Sequence, residues 1–515
     1  MPPKVDPLSN VDAAWLGMED PTNLMMVTGV LTFDEPIDFE ELKLLIERRL
    51  LKFERFRQRV VQPRLPLTAP YWETALDFDM SAHLQRVTLP DPGDQSALQA
   101  LVSDLLSTPL DFSRPLWQLH LVENYGDGCA IITRLHHCIA DGMALVYVLL
   151  SLTDLSPDSP KPDPEPEATG DEEDGLSGPL GALIKQASSA VNAARHVTGK
   201  IVQEGLEAIL YPAKALDLAL QGTDHALAAS RLLLRSPDPE TIFKGELGVA
   251  KRGAWSRPLP LKEIKAIKTA LGGTVNDVLV TAMTGGLRRY MQKRSEAVDT
   301  LNFRAAVPVN LRKPQEMGEL GNKFGIVFLS LPVGIADPLA RLAEVRKRMH
   351  ALKHSPEAMA AFAILNAIGL SPQELQSTMV KMFGSKTTAV MTNVPGPPIP
   401  LYMAGKQIKS IMFWVPQSGR VSLGISIISY AGNVWLGVAA DVGLVPDPET
   451  IIEGFYQEYE ALLAMAQRRK RAPAPATAVQ DDPDRCRAVT RSGRRCRNRS
   501  LDGSDYCRVH QRAGA

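Results

Sequence analysis

The sequence predicts an α/β protein built in two parts, and three features lead to this expectation. Segments with helical periodicity, such as 40–61, alternate along the chain with short segments typical of strands, such as 118–122. The chain has 515 residues, which is enough for two or three domains with large cores. An acidic, proline-rich stretch at 156–175 is too polar to bury apolar area, so it separates an N-terminal part from the rest.

The composition is ordinary for a soluble globular protein, with 45% hydrophobic and 22% charged residues. The net charge of −1 gives no general attraction to nucleic acid. Five cysteines in 515 residues make no disulfide framework, which predicts a reducing, cytoplasmic setting. The first residues lack an apolar signal core, and no stretch reaches the roughly 18 apolar residues of a membrane span. We therefore expect neither a signal peptide nor a transmembrane helix.

In the first part, a helix start at 7–12 precedes a strand at 25–33, an amphipathic helix at 40–61 and another helix at 95–106. Pro115-Leu116-Trp117 then opens the strand at 118–122. A tryptophan at a strand start most often packs in a core, and substrate contact is the alternative.

Two adjacent histidines end an apolar strand in the stretch 134–142, where His136 and His137 are followed by Asp141 and Gly142. A neutral imidazole can take a proton from an alcohol or thiol if one tautomer and one rotamer are held. Asp141 lies near a helix start, where a carboxylate is favoured, and can hold the turn through a salt bridge. Gly142 would let the backbone bend. The alternative is a pair of strand-end histidines beside a helix cap.

The second part begins with a helical stretch at 180–234, either a hairpin packed on the second domain or a membrane-docking lid. Asn276 and Asp277 open a helix at 278–291, where they either cap the helix or stabilise oxyanion charge. Arg312 follows a strand at 303–309 and is expected to pair with a buried carboxylate. We further predict helices at 338–352, 358–370 and 446–467, and strands of one sheet at 411–415, 423–430 and 434–440.

The last residues carry Cys486, Cys496, Cys507 and His510. So short and polar a segment cannot fold on a core, and a structural zinc ion would supply the missing stability. Free thiols are the alternative. Nine arginines against two aspartates at 485–512 indicate a polyanion partner, nucleic acid or membrane surface, or else a solvated basic tail.

Residues 136–142 match the HHxxxDG signature of CoA-dependent acyltransferases. Together with Pro115-Leu116-Trp117 (PLW), Asn276-Asp277 (ND), 308–312 (PVNLR) and 393–397 (NVPGP), they resemble the bacterial wax ester synthase/acyl-CoA:diacylglycerol acyltransferase family. The resemblance covers about residues 7–467. It implies two chloramphenicol-acetyltransferase-like halves with mixed sheets and flanking helices, at 1–155 and 246–467. A linker at 156–179 and a helical segment at 180–245 would join them, and 468–515 would form the tail.

This resemblance implies an acyl-CoA-dependent O-acyltransferase that esterifies diacylglycerol or long-chain alcohols. His137, beside His136, would be the general base, and Asp141 would be structural. The acceptor would attack the thioester directly, so catalysis would need no cofactor, and the site would lie between the two halves. The lipid product implies peripheral association with a membrane or lipid body. The alternatives are a same-fold acyltransferase with another acceptor and a non-catalytic lipid-body protein anchored by 180–234.

Overall fold

The computed structural model describes residues 4–63, 69–159, 223–313, 316, 318–371, 373–471, 486–489, 496 and 498–511. The chain divides into two compact units, Met1–Ala464 and Met465–Ala515. Residues 160–179 of the expected linker (156–179) lie outside the described residues. Residues 180–222 of the expected helical segment (180–245) also lie outside them.

The first part of the larger unit has an α/β arrangement, as the sequence predicts. Its elements, in chain order, are β1 (Val5–Pro7), α1 (Asn10–Gly17), β2 (Met26–Phe33), α2 (Phe39–Leu45), β3 (Gln58–Val61), β4 (Tyr71–Thr74), β5 (Leu84–Thr88), α3 (Gln95–Leu106), β6 (Trp117–Tyr125), β7 (Gly128–His136) and α4 (Gly142–Ser151).

The second part continues with α5 (Thr223–Leu234), β8 (Lys251–Trp255), β9 (Leu259–Pro260), α6 (Leu261–Leu271), α7 (Val275–Lys293), β10 (Phe303–Asn310), β11 (Phe324–Leu331), α8 (Pro338–Lys353), α9 (Glu357–Gly369), α10 (Gln373–Ser385), β12 (Ala389–Pro395), β13 (Tyr402–Met403), β14 (Lys406–Trp414), β15 (Leu423–Tyr430), β16 (Asn433–Asp441) and α11 (Pro448–Arg471). None of the helices in the described residues combines the length and apolar composition that a membrane span requires.

The predicted amphipathic helix at 40–61 is wrong in its second half. Helix α2 passes into a wider helical turn at Ile46–Leu50, and the chain then forms strand β3. Strand β3 pairs with β4, so its Val60 lies opposite Trp72, and both side chains are buried. Phe56 continues the helical spacing of apolar residues but reaches the core from a short 3₁₀ turn. Apolar spacing therefore hid the end of the helix.

The described strands form two large sheets and a small one, β1-β4-β3. The first large sheet has the order β13-β14-β2-β7-β6-β5, and the second has the order β11-β10-β12-β15-β16-β8, with β9 beside β16. In the second sheet β12 runs parallel to both β10 and β15, and the other pairs are antiparallel. In the first large sheet β5 runs parallel to β6. Both large sheets therefore contain parallel as well as antiparallel pairs.

The prediction that 411–415, 423–430 and 434–440 belong to one sheet is wrong for 411–415, which lies in strand β14 of the first large sheet. It leaves the second part and pairs antiparallel with β2, with Ile411 opposite Leu31 and Trp414 opposite Thr28. Alternation of apolar residues identifies a strand but carries no information about its partner, because any half-buried strand shows the same period. The first sheet is thus completed by a strand from the second part.

A reciprocal contact joins the edge of the second sheet to the first part. The hydroxyls of Ser103 on α3 and of Ser107, just after α3, accept hydrogen bonds from the backbone N–H groups of Gly253 (3.0 Å) and Lys251 (2.8 Å) on edge strand β8. These side chains satisfy backbone donors that an open sheet edge would leave unpaired. The two parts are therefore bonded both through β14 and through the α3 region.

Candidate active site at the strand β7 turn

The two histidines of the HHxxxDG element lie at the end of β7, which pairs with β2 and β6 in the middle of the first sheet. The strand is apolar and buried from Cys129 to Ile132, so its end is fixed by the core. The His137 N–H donates to the Met25 carbonyl (2.7 Å), and the Ile139 N–H donates to the His136 carbonyl (3.0 Å). The chain therefore turns tightly before α4 begins.

Asp141 caps α4 and at the same time binds the second part of the chain. Its Oδ1 accepts from the backbone N–H groups of Met143 (3.1 Å) and Ala144 (3.0 Å). Its Oδ2 accepts from Arg312 Nε (3.1 Å) and Nη2 (2.9 Å) and from the Lys323 N–H (2.9 Å). The buried carboxylate is thus satisfied at both oxygens, and one of them is satisfied entirely by the second part.

Arg312 is 3% exposed, and it contacts a buried carboxylate of the kind that the sequence predicts for it. Besides Asp141, its guanidinium donates to the backbone carbonyls of Glu319 (2.9 Å) and Gly321 (2.5 Å). A buried ion pair is tolerated when its remaining hydrogen-bonding positions are also filled. The Arg312 side chain therefore holds both Asp141 and the chain segment that follows Arg312.

That segment runs beside the histidine turn like a short strand. The Gly321 N–H donates to the Ile139 carbonyl (3.0 Å), and the Asp141 N–H donates to the Gly321 carbonyl (3.1 Å). Gly321 has φ +93°, a conformation that favours glycine. The turn that carries His137 is consequently an interface between the two parts of the larger unit.

The His137 imidazole packs against two aromatic rings, one from each part. Its centroid is 4.4 Å from that of Trp15, in a stacked arrangement, and 5.6 Å from that of Phe324. The residue is 5% exposed, and this burial lowers the pKa of the imidazole to about 4, against the opposing effect of the Asp141 charge. His137 is therefore neutral near pH 7, which is the state that a general base requires.

His136 points to a different environment. Its Nδ1 accepts from the Cys138 N–H (3.1 Å), and its Nε2 lies 3.4 Å from a carboxylate oxygen of Glu19. The edge of Phe112 packs on its ring, with centroids 5.6 Å apart. The Nδ1 atom of His136 is thus bonded within the turn, whereas its buried Nε2 has no hydrogen bond of standard geometry to the described residues.

Gly142 is the first residue of α4, but the structure gives no steric reason for a glycine there. A Cβ at this position would have no heavy atom within 4 Å. The packing therefore does not require a glycine at this position, although the sequence suggested one for a bend in the backbone. The side-chain cap of α4 comes from Asp141.

Asp12 and Asn322 also belong to this site, and the sequence did not assign either of them to it. Asn322 Nδ2 donates to Asp12 Oδ1 (2.7 Å) and to the His137 carbonyl (2.6 Å). Burial raises the pKa of Asp12, while its hydrogen bonds from Asn322 and Ser9 oppose that effect. The sequence marks these residues only by short motifs: Asp12 follows Pro-Leu-Ser near the start of the chain, and Asn322 follows Gly321. Neither motif indicates that positions 12, 137 and 322 meet in the fold.

Asn276 and Asp277 have partners of their own. Asp277 and Thr274 form a capping box on α7, in which Asp277 Oδ2 accepts from the Thr274 N–H (2.7 Å). Asn276 Oδ1 accepts from Asn393 Nδ2 (2.8 Å), which joins two motifs that are far apart in sequence. Capping thus accounts for Asp277, and within the described residues neither Asn276 nor Asp277 forms a hydrogen bond to His137. A role in stabilising an oxyanion stays a prediction.

Pro115, Leu116 and Trp117 are buried in the first part. The Trp117 indole N–H donates to the Phe56 carbonyl (2.8 Å), and its ring stacks on His83 with centroids 4.5 Å apart. Core packing accounts for these contacts, and substrate contact by this motif stays a prediction.

The smaller unit brings together the four predicted metal ligands. The Sγ atoms of Cys486, Cys496 and Cys507 and a ring nitrogen of His510 all lie within 4.8 Å of one another. Cys507 Sγ is 3.3 Å from His510 Nδ1 and 3.9 Å from Cys496 Sγ, and Cys486 Sγ is 3.6 Å from His510 Nδ1. This cluster could hold a metal ion.

Comparison with known proteins gives consistent matches along the larger unit. The family model for the wax ester synthase/diacylglycerol acyltransferase catalytic domain matches residues 8–279, and that for the WS/DGAT C-terminal domain matches residues 320–463. A probable diacylglycerol O-acyltransferase of Mycobacterium tuberculosis is 27% identical over 471 residues, covering 90% of this chain and 97% of the relative. A putative diacylglycerol O-acyltransferase of the same species is 28% identical over 468 residues, covering 89% and 91%.

Solved structures show the same fold. The wax ester synthase/diacylglycerol acyltransferase from Marinobacter aquaeolei VT8 matches with a TM-score of 0.63 at 22% identity, covering 90% of this chain and 99% of that one. The first condensation domain of the calcium-dependent antibiotic synthetase matches with a TM-score of 0.56 at 15% identity, covering 90% and 96%. The expected two-half, chloramphenicol-acetyltransferase-like fold is confirmed.

Replacing Arg312 with lysine should destabilise the protein before it affects chemistry. A lysine keeps the charge but loses the planar fork that binds Asp141 and two carbonyls, so we expect a loss of about 2–4 kcal/mol. Chemical denaturation followed by tryptophan fluorescence measures this. As a matched control, Arg86→Lys alters an exposed ion pair with Glu123 and should change stability by less than about 0.5 kcal/mol. An Arg312→Lys variant that is as stable as the wild type but inactive would contradict the structural role.

Proposed function

Because the chain belongs to the wax ester synthase/diacylglycerol acyltransferase family and is an acyl-CoA-dependent acyltransferase, we propose that it esterifies diacylglycerol to triacylglycerol and long-chain alcohols to wax esters. The observation that carries this proposal is the neutral, rigidly held imidazole of His137 at the junction of the two parts. A different acceptor alcohol within the same fold is the alternative.

The proposed reaction is a direct transfer assisted by a general base. His137 Nε2 takes the hydroxyl proton of the acceptor, and the acceptor oxygen forms a bond to the thioester carbonyl carbon. The tetrahedral intermediate collapses with cleavage of the C–S bond, and the departing CoA sulfur receives the proton from the imidazolium. No covalent bond to the enzyme is needed, so the chain's contribution is orientation and proton transfer, together worth several orders of magnitude in rate.

Asp141 does not act on substrate in this scheme. Both of its oxygens are occupied by backbone N–H groups and by Arg312, so it serves to fix the turn and its charge favours the imidazolium that forms during the reaction. His136 accepts a hydrogen bond from the Cys138 N–H at Nδ1, and we assign it a supporting role in holding the turn.

Purified protein with labelled palmitoyl-CoA and a panel of acceptors tests the function. We expect ester formation with diacylglycerol and with hexadecanol, and a fall of about 10²- to 10⁴-fold in kcat for His137→Ala, because the general base is lost. His350→Ala is the matched control, since His350 is exposed on α8. Full transfer by His137→Ala would show that this site is not the catalytic one, and transfer only to a non-lipid acceptor would replace the proposed substrates.

We also propose that the Cys/His cluster of the smaller unit holds a structural zinc ion. A tetrahedral ion at about 2.3 Å from sulfur and about 2.0 Å from nitrogen would separate its ligand atoms by roughly 3.5–3.8 Å. Three of the separations between these atoms, 3.3, 3.6 and 3.9 Å, are close to those values. Three thiolates and one imidazole form a closed ligand set, which suits a stabilising site rather than a catalytic one.

Metal analysis of the full chain should find about one zinc per molecule, and Cys507→Ser should lower the content severalfold because a ligand is lost. Cys129→Ser is the matched control, since that thiol lies buried on β7. Equal zinc content in wild type and Cys507→Ser, or none in either when purified without chelator, would refute the assignment.

The enzyme is further proposed to work in the cytoplasm at a membrane or lipid-body surface, where its lipid substrates and neutral product partition. The arginine-rich residues 485–512 would add attraction to a polyanion, either an anionic membrane or nucleic acid.

Sedimentation with lipid vesicles examines this association. The full chain should bind phosphatidylglycerol vesicles more than phosphatidylcholine vesicles, and salt should weaken that preference because it screens charge. A chain ending at residue 471 should lose the preference. If the full chain and the shortened chain bind the vesicles equally at low salt, the tail has no role in membrane attachment. If the tail binds oligonucleotides but not vesicles, its partner is nucleic acid.

A further inference from the structure

A surface groove on the second part of the larger unit combines aromatic rings, prolines and positive charges. It consists of two adjoining depressions with volumes of about 420 Å³ and about 510 Å³, which share Pro260. We call it the Tyr456 groove, and Pro258, Tyr459 and Gly432 also line it. Ligand-binding clefts have volumes of roughly 300–1,000 Å³. The groove therefore has room for a short stretch of peptide.

Hydrogen bonds hold the walls of the Tyr456 groove in place. The Tyr456 hydroxyl donates to the Arg257 carbonyl (3.1 Å), and the Tyr459 hydroxyl donates to a carboxylate oxygen of Glu263 (2.8 Å). These bonds connect α11 with the chain around β9 and with α6, and β9 itself pairs with β16. The aromatic surface is therefore formed by the fold before any ligand binds.

Three positive side chains in the groove form no ion pair with other described residues. Arg257, Lys262 and Lys265 are exposed, and one acidic residue, Glu460, lies with them along the lining. The Arg257 guanidinium packs on the Tyr456 ring, with its Cζ atom 5.4 Å from the ring centroid. The charge of the lining is thus mainly positive, which complements an acidic partner.

Tyrosine rings beside prolines are typical of grooves that bind proline-rich peptides. Such peptides already favour the extended polyproline conformation, so they lose little conformational entropy when they bind. Their pyrrolidine rings pack against the aromatic side chains of the groove. The positive charges of the Tyr456 groove would select in addition for carboxylates. The matching ligand is therefore a peptide in which prolines and acidic residues are interspersed.

The chain itself contains a peptide of this kind at 160–175. Residues 162–167 read Pro-Asp-Pro-Glu-Pro-Glu and residues 171–174 read Asp-Glu-Glu-Asp, so 160–175 carries seven acidic residues and one lysine. The stretch lies outside the described residues, which end before it at Ser159. Sixteen residues in a polyproline conformation would span about 50 Å, at roughly 3.1 Å per residue.

The described chain ends, before this stretch, in a region that is bonded to the neighbourhood of the groove. Asp154 and Tyr402 exchange two backbone hydrogen bonds (2.7 and 2.9 Å). The N–H of the preceding residue, Leu401, donates to the Tyr430 hydroxyl (2.8 Å). Tyr430 ends β15, and the turn that follows it includes Gly432 of the groove. A short series of contacts thus connects the start of the acidic stretch with the groove, within reach of its extended length.

We propose that the acidic, proline-rich segment at 160–175 docks in the Tyr456 groove of its own chain. Its prolines would pack on Tyr456, and its carboxylates would lie beside Arg257, Lys262 and Lys265. The covalent tether holds the segment at an effective concentration near the millimolar range, so a weak contact suffices for docking. Docking would fix where the connection between the two parts of the larger unit begins its course. It does not depend on acyl transfer, so failure of the proposed function leaves it unaffected.

Carbodiimide crosslinking of the full chain, read by mass spectrometry, tests the contact. The reagent joins a carboxylate directly to an amine without a spacer, so we expect amide bonds between residues 163–174 and Lys262 or Lys265. Lys52 is the internal control, because it is exposed and close in sequence to Arg49, which pairs with Asp154. Tethering alone would favour Lys52, whereas docking should favour the groove lysines at least about fivefold. Equal or greater crosslinking to Lys52 would overturn the proposal.

The variant Arg257→Ala weakens the groove without changing either reactive group. We expect the crosslinks to Lys262 and Lys265 to fall about two- to fivefold, because an exposed charge contact is lost. Arg114→Ala is the matched control, since Arg114 is an exposed arginine that pairs with Asp111 in the first part. It should leave the crosslinks unchanged. Equal crosslinking in the wild type and Arg257→Ala would refute docking in this groove.

A mixture of ¹⁵N-labelled and unlabelled protein distinguishes docking within one chain from docking between two copies. Crosslinked peptides from one chain carry a single label, whereas those from two copies include mixed pairs. We expect mixed pairs to be no more frequent for Lys262 and Lys265 than for Lys52. Frequent mixed pairs at the groove lysines would show that a second copy supplies the segment, and would overturn the assignment to the same chain.

Discussion

The buried pair between Asp141 and Arg312 is the contact on which the site depends. It ties the first turn of α4, and with it the histidine turn, to the chain that precedes β11. Removing one member of such a pair leaves an unpaired charge in a dry environment, a loss of roughly 3–5 kcal/mol. The same two parts are joined elsewhere by β14 in the first sheet and by α3 on the edge of β8. The histidine turn is therefore held within a structure that both parts must complete.

Burial and charge together determine the protonation state of His137. The negative charge of Asp141 only partly offsets the burial of the imidazole, whose pKa stays near 4. A base with so low a pKa is intrinsically weak, but it is unprotonated throughout the physiological range. In the proposed reaction the gain in rate would come from orientation, since the ring is stacked on Trp15 and its backbone is bonded to Met25 and Asn322.

Features set by local chemistry could be predicted from the sequence, whereas those set by long-range pairing could not. Asp337 caps α8 with Pro338 at its first position, and Asp141 caps α4, because a helix start selects such residues within a few positions. In contrast, β14 looked like a neighbour of β15 because strand alternation does not record the partner. The end of α2 was missed because Phe56 keeps the helical period after the helix has ended.

The same division applies to the site. The HHxxxDG element could be recognised in one stretch of sequence, and Arg312 could be expected to need a buried carboxylate, but nothing local identified Asp141 as that carboxylate. Asp12 and Asn322 lie 310 positions apart and meet only through the fold. The sequence placed Asp12 only at a helix start and assigned no role to Asn322. Burial, which makes their hydrogen bonds valuable, is a property of the assembled structure.

A crystal structure of the protein with CoA bound would test most directly whether His137 is the base. We expect the CoA sulfur within about 4 Å of His137 Nε2, with room beside the ring for an acceptor hydroxyl at hydrogen-bonding distance. CoA bound with its sulfur far from the β7 turn, or an imidazole enclosed on all sides with no path from the sulfur, would contradict the assignment of His137.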